Sequence, residues 1–296
     1  MTEPRQFLPN NTYFITRRCT QRLFLLKPTA LTNQIFLYCL AVAAYKTGVL
    51  IHVVTVISNH YHIEVTDPNT KIAEFYGWLH KYVAKAVNCS LGRFENMWSS
   101  EKVSVIALKE KEDVLDKIVY TLANPVQARL VAHGSKWPGV WLYKKSHTQV
   151  VERPEVYFRE DGDMPARVRL TIQPPPQFEH LSDEEYEQLV ESKLAERERE
   201  IHKEMEAKGH SFLGIRGVMA QRHQSSPLSR EKRFVLNPKI AAKNKWLRQE
   251  AIYRRKEFLR AYREAYEKWR CGDREVVFPA GTYALRIHSG VKCAPG

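Results

Sequence analysis

Between positions 59 and 64 the chain reads Asn59-His60-Tyr61-His62-Ile63-Glu64. On an extended strand side chains alternate, so His60, His62 and Glu64 share one face while Tyr61, Ile63 and Val65 take the other, toward a core. Two neutral imidazoles at that spacing can bind one divalent ion, and the carboxylate beside them can add a hard oxygen. Taken alone, an HxH in a strand is more often two ordinary surface or core histidines. A second constellation lies in Ile118-Val119-Tyr120-Thr121-Leu122-Ala123-Asn124-Pro125-Val126. Tyr120 and Asn124 are four apart on a predicted helix, which puts a phenol and an amide on one face, one turn from each other. Singly, Tyr120 is an ordinary core aromatic and Asn124 a helix C-cap before a proline. Together with an ion the set can exchange phosphodiesters. The ion polarises a non-bridging oxygen and stabilises the developing charge, while the tyrosine stores the bond as a phosphotyrosine and releases a 3′-hydroxyl. A phenol with its usual pKa of about 10 needs help from a base, a water or the ion. The sequence does not name that base.

The elements that must position these residues can be read from patterning. Thr12 to Thr16 reads as a strand, and Leu31 to Tyr45 as an apolar helix stopped by Gly48. Val49 to Val56, β-branched except at His52, and His60 to Val65 form a hairpin about the turn-prone Ser58-Asn59. Ile72 to Asn88 spaces Phe75, Leu79, Tyr82, Val83 and Ala86 as an amphipathic helix, Lys102 to Leu108 is a further strand, and a helix from about Glu112 to Ala123 ends at Asn124-Pro125. Strand, helix, strand, strand, helix, strand is the order of a ferredoxin-like sheet. The expected class is therefore α+β, an antiparallel sheet with helices on one face and the other face free for a ligand, followed by a mainly helical basic extension.

Together these residues resemble the single-tyrosine HUH transposases, in particular the REP-associated tyrosine transposases that act on single-stranded DNA hairpins. The resemblance runs from about Thr12 to Trp141. It rests on the His60-Tyr61-His62 strand, the helix with Tyr82-Val83-Ala84 and Asn88, the Met97-Trp98 pair ahead of a strand, and the Tyr120 to Val131 segment YTLANPVQARLV. Tyr61 stands where an apolar residue is usual, and Ser58 where proline is frequent; neither removes a catalytic atom. The ending Val277-Phe278-Pro279-Ala280-Gly281-Thr282-Tyr283 is similar to that of longer members. The resemblance implies that His60 and His62 are metal ligands for Mg²⁺ or Mn²⁺, that Tyr120 is the nucleophile, and that Asn124 is a further ligand; Glu64 joins this set from the strand alternation.

Composition agrees with a polyanionic partner. Forty-six Lys and Arg against 33 Asp and Glu leave a net charge of +13 over 296 residues. Residues 1 to 150 hold 18 basic and 10 acidic side chains, 151 to 210 hold 9 and 16, and 211 to 270 hold 16 and 5. The expected organisation is a single-stranded DNA transposase domain over 1–150, an acidic linker and helix over 151–210 that includes Pro174-Pro175-Pro176, and a basic helical extension over 211–296. Lys243 to Arg270 reads as a long basic helix whose aromatic edge either packs on the first domain or stacks on single-stranded nucleic acid. Arg17, Arg18, Lys81, Lys85, Lys245, Arg248, Arg254 and Arg255 are the expected DNA contacts. The apolar stretch Ile35 to Ala44 is too short to cross a bilayer, and Met1 to Pro9 lacks the apolar core of a signal peptide, so the expectation is a cytoplasmic protein without a membrane partner. Five cysteines without a CxxC pair indicate reduced thiols. Monomer and homodimer both stay open. The function expected from all of this is a strand transferase that cleaves and rejoins single-stranded hairpin DNA. A domesticated, non-catalytic hairpin-binding protein and a metal-dependent phosphodiesterase are the alternatives.

Overall fold

A computed structural model describes residues 4–159, 161–228 and 239–295; residues 229–238 of the basic extension lie outside the described residues. In chain order the elements are β1 (Asn11–Arg18), α1 (Ala30–Thr47), β2 (Leu50–Ile57), β3 (His60–Asp67), α2 (Ile72–Ser90), β4 (Ser104–Leu108), α3 (Lys111–Gln127), β5 (Trp141–Leu142), β6 (Gln149–Glu152), β7 (Arg167–Leu170), α4 (Asp183–Ala207), α5 (Gly214–Ala220), β8 (Ile240–Ala241), α6 (Lys245–Arg270) and α7 (Ala284–Ser289). The main sheet runs β5-β2-β3-β1-β4-β8. Every pairing is antiparallel except that of β4 with β8. The α+β class and the helical C-terminal region are as expected.

Local sequence explains the elements that frame the histidines. Helix α1 ends at Gly48, whose φ of +72° is the left-handed C-cap that glycine adopts without a Cβ penalty. In β2 the register slips between Ile51 and Val53, a bulge at His52. That extra residue changes the strand's parity: Ile51, Val54 and Val56 join one core cluster while Val53 joins the other. His52 itself is held by the Gln173 carbonyl at 2.9 Å and by Thr66 at 2.8 Å.

Four features depart from the sequence reading. The second sheet face is not free: α1 and α2 pack on the face of Tyr61, Ile63 and Val65, and α3 crosses the other through Val114, Ile118 and Leu122 against Phe14 and Val53. Helix α3 also does not stop before Pro125 but runs through it to Gln127. The proline sits in the last turn, where little of the helix ladder remains to be broken, and Asn124 is thereby a helical residue rather than a cap. The acidic helix is as expected, but not its place in the core: α4 is opened by a Ser182–Glu185 capping box and packs on α3. Its apolar residues Tyr186, Val190, Leu194, Ile201 and Met205 recur nearly once per turn and are buried in the same core as α3, each contributing roughly 1.5–3 kcal/mol of burial. Finally, the chain's ending returns to its beginning. The Phe7 amide donates to the Gly281 carbonyl at 3.0 Å, and Gly281, at φ +81°, lies so close to Phe7 that a Cβ would stand 2.9 Å from the Phe7 carbonyl oxygen.

Candidate DNA-processing site

The site lies between the strand face of His60 and His62 and the helix α3 that crosses it. The two imidazoles stand 4.8 Å apart, centroid to centroid, at 89°. His62 stacks flat on Phe14 of β1 (5.4 Å, 9°). Tyr120 stands edge-on to both rings, 5.4 Å from His62 and 6.0 Å from Phe14. Register accounts for the arrangement, because Phe14 pairs with Glu64 and Thr16 with His62 on β3, so Phe14 and His62 rise on one side of the sheet. The sheet and the helix bring His60, His62 and Tyr120 together, and Asn124 lies one turn on from Tyr120 along α3.

Hydrogen bonds set the chemistry of each group. The His60 Nδ1–H donates to Asn59 Oδ1 at 2.7 Å, which leaves the Nε2 lone pair as the available donor atom. Burial together with the Arg18 and Arg22 charges pushes the His60 pKa down to about 4. Burial, His60 and Lys117 hold His62 well below its usual value, so both rings are neutral at pH 7, the form that binds a metal. Burial raises the Tyr120 pKa while the Asn124 side chain, by hydrogen-bonding the phenol, pulls it back. Only the amide nitrogen can favour a phenolate in this way, and Asn124 Oδ1 is left buried with no partner. Both ring nitrogens of His62 are also buried without a partner. Buried polar atoms of this kind are rare in folded proteins, and each calls for a partner such as a water or an ion. The donor set of two imidazoles and an amide oxygen suits a divalent ion that also takes phosphate oxygens.

Glu64 does not complete that set. It shares the histidine face but is fully buried beside Phe14, Val53 and Tyr186. Among the described residues no three His, Cys, Asp or Glu side chains converge as a cation site. Burial drives the Glu64 pKa well above the usual carboxylate range, with Lys117 opposing.

The expected DNA contacts divide by location. Arg17 and Arg18 are neighbours on a strand and point to opposite faces. Arg18 pairs across to His60 and lines a cavity of about 490 Å³ with Arg22, Asn59, His60, Gln127 and Arg129. Arg17 is turned to the α2 side, where it donates to His80 Nδ1 at 2.7 Å and lies over Trp98, so it is a structural cation and not a DNA contact. Lys81 and Lys85 are exposed on α2, across the sheet from Tyr120, over the rings of Tyr82 and Tyr157. On α6, Lys245 and Arg248 are exposed, while Arg254 and Arg255 line a cavity of about 380 Å³ against β4 and β8. Sequence reasoning passed over Lys117, whose ammonium lies 5.2 Å from the Tyr120 ring centroid and 5.4 Å from that of Phe14. Its signal was its place three residues before Tyr120 on the same helix face; Phe14 carried no signal without the strand register.

No family model matches the chain, and no curated protein matches it. Among solved structures, the chain is similar to a REP-associated tyrosine transposase bound to a REP hairpin, with 21% identity, a TM-score of 0.40, and 47% of this chain and 81% of that one covered. It is also similar to a transposase candidate from Deinococcus radiodurans R1, with 15% identity, a TM-score of 0.30, and 40% and 93% covered. No helix among the described residues is long and apolar enough to cross a membrane.

Proposed function

We propose that the chain is a DNA-strand transferase that cleaves and rejoins single-stranded hairpin DNA through a covalent phosphotyrosine on Tyr120, with Mg²⁺ or Mn²⁺ held by His60, His62 and Asn124. The observation that carries this reading is the convergence of the Tyr120 ring on His62, whose two ring nitrogens are buried without a partner, with Asn124 one helical turn on from the tyrosine and its Oδ1 also unpartnered. When bound, a divalent ion would polarise a non-bridging phosphate oxygen and spread the charge of the in-line displacement.

The protein's own groups supply the rest. Asn124 holds the phenol oxygen and stabilises its anion, and Lys117 adds a positive charge beside the same ring. In the forward step the phenol oxygen forms a bond to phosphorus as the bond to the 3′ oxygen breaks. The phenol proton leaves to solvent, and the departing 3′ oxygen takes one up. A new 3′-hydroxyl then attacks the phosphotyrosine in reverse, which restores the phenol and joins the strands. The buried α3–sheet contact fixes the tyrosine against the histidines, which makes attack effectively intramolecular once DNA is seated.

The test is a covalent adduct. Purified protein incubated with single-stranded hairpins and Mg²⁺ or Mn²⁺ should yield a denaturation-resistant protein–DNA band that Tyr120→Phe does not form. Cleavage without any adduct would point to a phosphodiesterase that attacks with water; binding without cleavage would point to a hairpin-binding module.

A further inference from the structure

Helix α6 is divided in its packing. Its second half turns aromatics inward: Phe258 is buried, Tyr262 lies 5.5 Å from Phe278, and Tyr262, Tyr266 and Trp269 follow one another at about 6 Å. Its first half does not. Trp246 is 79% exposed and Tyr253 is 64% exposed. Seven residues apart, they share one helix face about 10 Å apart along the axis. The inward face of this half, with Leu247, Ala251, Arg254 and Arg255, lines the cavity against β4 and β8, so the two rings are not needed for packing there. Beside them stand the exposed Lys245 and Lys256, neither of which forms an ion pair among the described residues, while Glu250 between the rings is neutralised by Arg254.

The start of α6 is also fixed to the tyrosine helix. The Lys243 amide donates to Asp113 Oδ1 at 2.9 Å, and the Lys243 ammonium pairs with Asp116. Asp113 and Tyr120 are seven residues apart on α3 and therefore share a face, with Lys117 between them. A strand held at Tyr120 can run over Lys117 along α3 and reach Trp246 within a few nucleotides.

We propose that Trp246 and Tyr253 form a stacking platform for the single-stranded flank of the DNA whose phosphodiester lies at Tyr120, with Lys245 and Lys256 on its phosphates. This rests on the transferase reading for the direction of the strand, but not for the binding itself. Exposed aromatic faces within a cationic stripe fit a single strand because its bases are free to stack and its phosphates lie within reach; paired bases in duplex DNA offer no such faces.

The experiment is fluorescence anisotropy on the full chain with a labelled hairpin carrying a six-nucleotide single-stranded tail, against the same hairpin with a blunt end. The wild type should bind the tailed hairpin about 10-fold or more tightly than the blunt one, and Trp246→Ala with Tyr253→Ala should erase that preference. Trp246→Phe with Tyr253→Phe should restore most of it, and the unaltered chain should crosslink through Trp246 or Tyr253 to iodouracil placed in the tail. Equal affinity of the wild type for both DNAs overturns the platform, as does an alanine variant that keeps the preference or loses affinity for both DNAs alike. Tyr120→Phe should keep the tail preference. A wild type that shows the preference yet forms no adduct sinks the transferase reading and leaves the platform standing.

Discussion

Two buried histidines lie on opposite faces of the same sheet and meet opposite fates. On the α2 side, His80 is fully satisfied: Arg17 donates to Nδ1 at 2.7 Å, and Nε2–H donates to the Tyr61 hydroxyl. On the α3 side, neither ring nitrogen of His62 has a partner, and Asn124 Oδ1 on α3 has none. Both rings are kept neutral, chiefly by burial. The difference is specific to the two rings, since His80 has both nitrogens bonded and His62 has neither. A satisfied histidine is part of the architecture, and the unsatisfied one is where the proposed ligand would bind.

That contrast can be broken or sharpened by substitution. The largest effect is expected at Tyr120→Phe, which should reduce adduct formation to background while the melting temperature and hairpin affinity stay within error of wild type. Loss of folding in this variant would mean that the phenol belongs to the architecture after all.

Next, His62→Ala should abolish cleavage while leaving hairpin affinity largely intact, because phosphate contacts from Lys and Arg dominate affinity. It should also cost less stability than His80→Ala, which strands the half-buried Arg17 guanidinium and the Tyr61 hydroxyl and should lower unfolding free energy by about 2–3 kcal/mol in denaturant titrations. If the two variants are equally destabilised, the distinction between the faces fails.

A smaller effect is expected with pH. His52 is held neutral by burial, with a pKa of about 4 against 6.5 for an ordinary histidine. Between those values the unfolded chain binds the proton that the folded chain refuses, so stability is complete above pH 6.5 and falls as pH drops toward 4. This one group contributes on the order of 3 kcal/mol over that range. His60, His62 and His80 are held neutral by burial as well and add slope of the same sign, so His52→Gln should remove only its own share, and an unchanged slope would show that His52 contributes none.

The smallest effect is expected for Lys117→Met, which removes one charge beside the phenol and keeps the aliphatic stem. Single-turnover adduct formation should slow by about 10-fold at neutral pH with unchanged hairpin affinity. A fall in affinity without a change in rate would place Lys117 on the DNA and not on the tyrosine.

The sequence by itself determined a good deal. Period-two alternation dictated that His60 and His62 share a strand face, helical spacing put Tyr120 and Asn124 on one side of α3, and the order of strands and helices gave the α+β sheet. These are local properties, set by the geometry of one strand or one helix. Tertiary structure decided the rest. Cross-strand register placed Phe14 under His62, and the packing of α3 put Lys117 beside the Tyr120 and Phe14 rings. Arg17 and Arg18 were indistinguishable in composition, yet strand parity sent one to His80 and the other to the cavity beside His60. The acidic α4 concealed its role because a stripe of one apolar residue per turn is outnumbered by charge in any window, and only its seat on α3 makes it core. Which histidine is satisfied depends on groups far away in sequence, such as Arg17 for His80, because hydrogen bonds are made by neighbours in space and patterning records only neighbours along the chain.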